Sequence, residues 1–360
     1  MRLIKKTLQL YATKSTQSIQ EDLLSSDIGS VIWMGFQGLD AAQLPTGLAP
    51  GGIILFARNL DPDPVSGPTR CHALIRDLQE RWGGDVPLAV AIDQEGGPVS
   101  RLKLWVGETP SFRRIWTTSG AAGAEAWGRL WGEGLGLLGF NIDFAPLADL
   151  YDGIPGTGLG ERRASADPAE AAEAAGAFLH GLESQGVLGC LKHFPGLGGT
   201  KVDSHLALPE LLEPALVERG LEPFRRLAHP DRLVMVAHVR TPWSEGQPAS
   251  LHRGHVAGNP WGIAGAWITD DLEMGGCSDW PWPERVRLAI EAGSMALLVC
   301  QTQEALDHTA AALRSMPGEA LVGAVEAGRN YRRTLPPPRP GAFDAPAWES
   351  WVQRVRKAAG

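Results

Sequence analysis

The stretch VLGCLKHFPGLGGTKVDSH, residues 187–205, decides the fold. Its first five residues, Val187 to Leu191, form an unbroken apolar run of strand length, and a run without polar alternation marks a parallel strand covered on both faces. Lys192 and His193 close the run. Three glycines within four positions, Gly196, Gly198 and Gly199, then open a loop, and Asp203 and His205 return beyond it. A strand that ends in protonatable groups and hands over to a glycine-rich segment reads as a functional loop at a strand's C-terminal end.

Seven more runs of this kind surround it: Ser30 to Met34, Gly52 to Phe56, Leu88 to Ile92, Phe140 to Phe144, Leu233 to Ala237, Ala266 to Thr269 and Ala296 to Cys300. Amphipathic segments long enough for crossover helices lie between them. One helix is announced by Asp167 as cap, Pro168 in the first turn and Glu170 completing a capping box, and should end near Gly186. Another begins near Thr302, carries Leu306, Thr309, Ala310 and Leu313 on one face, and stops at Met-Pro-Gly. Eight alternating units predict an α/β fold, a single (β/α)8 TIM-type barrel over residues 1–334, with an N-terminal extension to about residue 28. A doubly wound open sheet has the same count, but no nucleotide fingerprint supports it. Residues 335–360 read as a Pro-rich tail, either linker-like or a short wrap around the barrel.

Apolar residues make up 44% and charged residues 21% of the 360, which is globular usage with material for a large core. The 33 basic and 41 acidic residues give a net charge of −8 without long like-charge runs, so nucleic acid has nothing to rest on. Cys71, Cys190, Cys277 and Cys300 are scattered through apolar runs, with neither zinc spacing nor a disulfide framework, which fits a reducing cytoplasm. The opening Met-Arg-Leu-Ile-Lys-Lys is followed by too short and polar a segment for a signal core, and no apolar stretch reaches membrane-spanning length. No cofactor or metal is expected, no membrane partner, and a monomer is favoured.

Polar residues then fall at one end of the strands: Asp93 after the third run, Asp143 in the fourth, Lys192 and His193 after the fifth, His238 after the sixth, Asp270 and Asp271 after the seventh. In a parallel barrel these converge on the mouth where active sites of this fold sit.

With these residues in place the chain resembles the bacterial β-N-acetylglucosaminidases of glycoside hydrolase family 3, in their compact single-barrel form. The resemblance runs from about Val31 to about Tyr331. It rests on IDQEGG at 92–97 with Arg101, GER at 160–162, the 192–205 segment, PASL at 248–251 and TDDLEM at 269–274. It implies a retaining glycosidase acting on N-acetylglucosamine-containing oligosaccharides, with Asp270 as nucleophile, His205 as acid/base and Asp203 as its partner. It further implies sugar contacts from Asp93, Arg101, Arg162, Lys192 and His193.

The chemistry asks for such types on its own account. Retaining hydrolysis needs a carboxylate to attack the anomeric carbon and a group that first gives and later takes a proton at the leaving side. Asp270 supplies the first. A histidine titrates near working pH, and a neighbouring carboxylate favours its protonated form, which suits the second. Arg101, Arg162 and Lys192 offer donors to sugar hydroxyls and Asp93 accepts from them. His238, at a strand end, is read as a further substrate contact with a structural histidine as its rival; Trp280 and Trp282 are candidates to wall the pocket. Arg163 reads as a solvated surface residue.

Two features depart from the family pattern. The usual PGHGDT loop reads PGLGGT here, with Leu197 and Gly199 in place of a histidine and an aspartate, which predicts weak loop anchoring and poor order without ligand. The usual AGSD before the last strand reads AGSMA at 292–296. Competing readings are a metal-dependent barrel hydrolase using His193, His205, His238 and Asp270, a β-glucosidase, a phosphate-dependent glycosidase, and a degenerate barrel that only binds sugar. Lysine beside arginines is poor company for a cation, which weighs against the first.

Overall fold

The structure is a computed structural model and describes residues 28–44, 48–316, 318–337 and 341–360. Nearly all of the expected N-terminal extension, and the prolines 317, 338 and 340, lie outside the described residues.

The apolar runs pair as a closed parallel barrel. Its strands are β1 (Ile32–Met34), β2 (Gly52–Leu55), β3 (Ala89–Ile92), β6 (Ile142–Asp143), β7 (Leu188–Phe194), β8 (Leu233–Val236), β9 (Ala266–Asp271) and β10 (Ala296–Val299). Neighbours follow chain order and the ring closes through β1 and β10, with Ile32 opposite Leu297. A two-stranded antiparallel hairpin, β4 (Gln94–Gly96) and β5 (Val99–Ser100), rises from the end of β3. No strand is expected at these residues from the sequence.

The helices are α1 (Gly67–Trp82), α2 (Lys103–Val106), α3 (Phe112–Leu138), α4 (Pro168–Glu183), α5 (Pro214–Leu227), α6 (Trp282–Ala292), α7 (Gln303–Ser315), α8 (Gly318–Arg332) and α9 (Ala345–Ala359). The eight units are not all alike, because no α-helix is found among the described residues between β1 and β2 or between β8 and β9; short 3-10 turns and loops make those crossovers. Asp167 caps α4 by accepting from Ala169 and Glu170 backbone N–H. The capping box stays open: Glu170 instead accepts from Ser165 Oγ at 2.6 Å, and Asp167 N–H turns to Ser165 Oγ. Thr302 caps α7, whose Leu306, Thr309, Ala310 and Leu313 are buried as expected.

Side chains alternate across each strand, so every second residue enters the barrel. Trp33, Ile54, Ala89, Ala91, Phe144, Cys190, Met235, Ile268 and Leu298 belong to one inner cluster, with Trp33 and Phe144 stacked at 6.4 Å. Intervening residues such as Val90, Ile92, Leu191, Val234 and Val236 join the outer clusters under the helices. The tail residues 345–359 form a helix packed on the barrel's flank. Trp351 is fully buried in it, 6.2 Å from Trp131 and 4.5 Å from Trp348, and its Nε1 donates to Leu130 O at 2.7 Å. None of the described helices is long and apolar enough to cross a membrane.

Candidate active site

Alternation carries the inner face of three strands up to the mouth: Ala89 and Ala91 lead to Asp93, Cys190 leads to Lys192, and Ile268 leads to Asp270. All three line one cleft together with Arg101, Arg162, His193, Asp203 and His205, over a floor that includes Ile54, Phe144, Met235 and Leu298. Eight of the nine site residues expected from the sequence thus meet in one place.

The charges form a linked cage. Lys192, only 2% exposed, donates to Asp93 Oδ1 at 3.0 Å and pairs with Glu95 Oε1 at 2.7 Å. Arg101 reaches Asp93 Oδ2 at 3.1 Å, and Arg162 holds Glu95 through Nε at 2.8 Å and Nη2 at 2.9 Å. Burial alone would raise Asp93, but the Lys192 and Arg101 charges hold its carboxyl well below the carboxylate range. Glu95 is likewise kept low against burial by Arg162 and Lys192. Burial would discharge Lys192, yet Glu95 and Asp93 keep its ammonium above the ordinary lysine value. The cage therefore presents fixed charges to a polar ligand instead of relaxing to neutral groups. Asp143, between the inward-facing Ile142 and Phe144, has the opposite parity and does not line the cleft; it takes Gln94 N–H at 2.9 Å and is pushed well up by burial.

The sequence alone assigns no role to Glu95, although it lies within IDQEGG, and none to Asp149. Asp149 is fully buried: its Oδ2 meets His193 Nδ1 at 2.7 Å and His193 N–H at 3.1 Å, and its Oδ1 accepts Leu197 N–H at 2.7 Å. This leaves His193 Nε2 as the ring atom for the cleft. Asp152 does similar work, taking Gly199 N–H at 2.7 Å while pairing with both amino nitrogens of Arg163 at 2.6 and 2.7 Å. The expectation that Arg163 is solvated is thereby overturned, as its side chain is fully buried.

The same contacts correct the expectation of weak loop anchoring. Leu197 and Gly199 lack the side chains expected there, but their backbone N–H groups are anchored by Asp149 and Asp152, and Gly275 and Gly276 N–H bond to His205 O and Ser204 O at 3.1 and 2.9 Å. His205 stands out at the rim, its side chain 67% exposed, with Nδ1 2.8 Å from Asp203 Oδ1. Burial would raise Asp203, but the backbone and side-chain bonds from His205 and the nearby charges bring it below its ordinary value.

Asp270 projects from the rigid end of β9, and its Oδ1 accepts Asp271 N–H at 2.8 Å. Asp271 is buried and its carboxyl is pushed up to about 7, by burial above all. His238 is not a cleft residue, which corrects the expectation of substrate contact. Met235 faces the cleft, so Val236 and His238 share the opposite parity and point toward the helix layer. Fully buried, His238 donates from Nε2 to Asp271 O at 2.9 Å and accepts at Nδ1 from Ser250 Oγ at 2.7 Å, and burial lowers it. It braces the strand that carries Asp270. Trp282 is also turned away: its Nε1 donates to Thr309 Oγ1 at 2.9 Å and Arg285 lies over its ring, and neither Trp282 nor Trp280 lines the cleft.

Comparison with known proteins gives the family. The Glycosyl hydrolase family 3 N terminal domain matches residues 40–331. The chain is 37% identical over 277 residues to the beta-hexosaminidase LpqI of Mycobacterium tuberculosis, covering 72% of this chain and 70% of that protein. A family 3 beta-N-acetylglucosaminidase from Paenibacillus sp. superposes with a TM-score of 0.79 at 29% identity, covering 93% of this chain and 68% of that one. NagZ of Neisseria gonorrhoeae, solved with N-trifluoroacetyl-D-glucosamine, superposes with a TM-score of 0.72 at 26% identity over 92% of this chain and 98% of its own. The chain belongs to glycosyl hydrolase family 3 and is a glycosidase of that family.

Proposed function

We propose that this protein is a retaining β-N-acetylglucosaminidase that releases the terminal β-linked sugar from cell-wall muropeptides or chitin-type oligosaccharides. In the first step Asp270 attacks the anomeric carbon as His205, in its protonated form, gives a proton to the departing oxygen. That step leaves a glycosyl-aspartate. In the second step His205 takes a proton from water, whose oxygen attacks the same carbon and frees Asp270 and a sugar of unchanged configuration. Asp203 holds Nδ1 of His205 and so aims Nε2 at the reacting oxygens. Asp93, Arg101, Arg162, Lys192 and His193 hold the ring's hydroxyls against Asp270.

The observation that carries this reading is the meeting, in one cleft, of a carboxylate on a rigid strand, an Asp-His pair on a loop and a cage of fixed charges. The choice of sugar rests on the similarity to a beta-hexosaminidase and to a beta-N-acetylglucosaminidase. The test is product analysis with matched N-acetyl-β-glucosaminide and β-glucoside substrates, each with and without phosphate. Release of N-acetylglucosamine independent of phosphate supports the reading. Preference for the glucoside, a sugar phosphate as product, or binding without turnover would each replace it.

A further inference from the structure

The loop between β6 and α4 closes one side of the cleft with Thr157, Gly158 and Leu159. Gly158 has φ +73°, and a methyl group built on its Cα would lie 2.6 Å from Asp203 Oδ2 and 3.1 Å from Cγ. The Asp203 carboxylate therefore sits flush against a bare Cα. Its other oxygen is engaged by His205 N–H at 3.0 Å and by Nδ1 at 2.8 Å. On its far side Gly158 is held as well, because its carbonyl accepts from Arg162 Nη1 at 3.1 Å while that arginine grips Glu95. A continuous path thus runs from the sugar-binding cage through Arg162 and Gly158 to the Asp203–His205 pair. Gly156, two residues earlier, has nearly the same backbone at φ +77° but open space where a side chain would go.

We propose that Gly158 is a positioning residue of the acid/base pair: its bare Cα is the seat that sets the Asp203 carboxylate, and through it the direction of His205. This rests on the reading of His205 as acid/base. A side chain at 158 meets the movable end of Asp203 and not the backbone, so the barrel stays intact while His205 loses its partner. Seating matters only where a proton must be delivered, which gives the proposal its signature.

The experiment compares Gly158→Ala, Gly156→Ala, Asp203→Ala, His205→Ala and the double variant Asp203→Ala/Gly158→Ala. Each is assayed with N-acetylglucosaminides bearing poor alkyl or sugar leaving groups and with nitrophenyl substrates that depart unaided, across pH, with thermal midpoints recorded. Gly158→Ala is expected to lose about 10- to 100-fold in kcat/KM on poor leaving groups and less than about threefold on nitrophenyl substrates, within the span of one general acid. Gly156→Ala carries the same backbone strain and should lose under about threefold on both. With Asp203 already shortened, Gly158→Ala should add no more than Gly156→Ala does, and its own pH profile should move in the direction that Asp203→Ala moves it. Equal loss on both substrate classes, a loss matched by Gly156→Ala, or full additivity with Asp203→Ala overturns the seat. If His205→Ala and Asp203→Ala lose selectively while Gly158→Ala does not, only the seat falls. If those two lose uniformly, the acid/base reading falls and takes the seat with it.

Discussion

Replacing Glu95 by glutamine is the most quantitative probe of the cage. The change is nearly isosteric, but both carboxylate oxygens face donors: Oε2 meets Arg162 Nε at 2.8 Å, and Oε1 meets Arg162 Nη2 at 2.9 Å and Lys192 Nζ at 2.7 Å. Either orientation of an amide therefore turns its NH2 toward an N–H donor: at the Oε2 place it faces Arg162 Nε, and at the Oε1 place it faces both Arg162 Nη2 and Lys192 Nζ. Removing one partner of a buried ion pair costs about 3–5 kcal/mol, and the loss is expected in that range at neutral pH. The pH dependence supplies the sign. Glu95 is held below its ordinary 4.5 in the folded protein, so its contribution is present above that pH and is lost as pH falls through the lower folded value. Guanidinium unfolding of wild type and Glu95→Gln from about pH 3 to 8 should show a wide gap at neutral pH that narrows below about 4.5. A gap under about 1 kcal/mol at pH 7, or one that stays constant with pH, would refute the account of the cage.

Three further outcomes are expected. Asp271→Asn should flatten part of the stability profile: a carboxyl raised from 3.8 to about 7 leaves stability intact at low pH and erodes it as pH climbs between those values, by at most about 4 kcal/mol, so wild type should fall relative to the variant across that window in the same unfolding assay. His238→Leu removes one partner each from Ser250 Oγ and Asp271 O, the latter keeping Met274 N–H at 3.0 Å, and should cost about 1–3 kcal/mol in all in denaturant unfolding while lowering kcat through the loosened β9. Trp351→Ala, remote from the cleft, should lower stability by about 3–5 kcal/mol in denaturant unfolding and leave KM unchanged well below the melting temperature.

The barrel was legible because its buried parallel strands are written as bare apolar runs, and every one of the eight runs pairs in the ring. What escaped notice is short or polar. The hairpin Gln94–Gly96 with Val99–Ser100 is short and shows no apolar alternation. Among the described residues the crossovers after β1 and β8 lack the α-helices that a count of units supplies by analogy. In the cleft, residues that extend the inner parity of their strands were placed by sequence, as with Asp93, Lys192 and Asp270. His238 follows its strand by two residues on the opposite parity, and only the register shows that it faces Ser250 and not the mouth. Glu95 and Asp149 act through partners 44 or more positions away, Asp152 joins Arg163 11 positions on to Gly199 47 positions on, and no local pattern announces such pairs. Leu197 and Gly199 make the converse case, since missing side chains suggested a loose loop while the backbone N–H groups found carboxylates of their own.

In the proposed mechanism Asp270 becomes covalently bonded to the sugar. A 5-fluoro N-acetyl-β-glucosaminyl fluoride slows both steps but supplies a leaving group that departs readily, so the intermediate should accumulate and survive proteolysis. Peptide mass spectrometry is expected to find the fluorosugar on Asp270, with Asp270→Asn unlabelled and nearly inactive although folded. A label on Asp271 or Glu273, or near wild-type turnover in Asp270→Asn, would contradict the assignment.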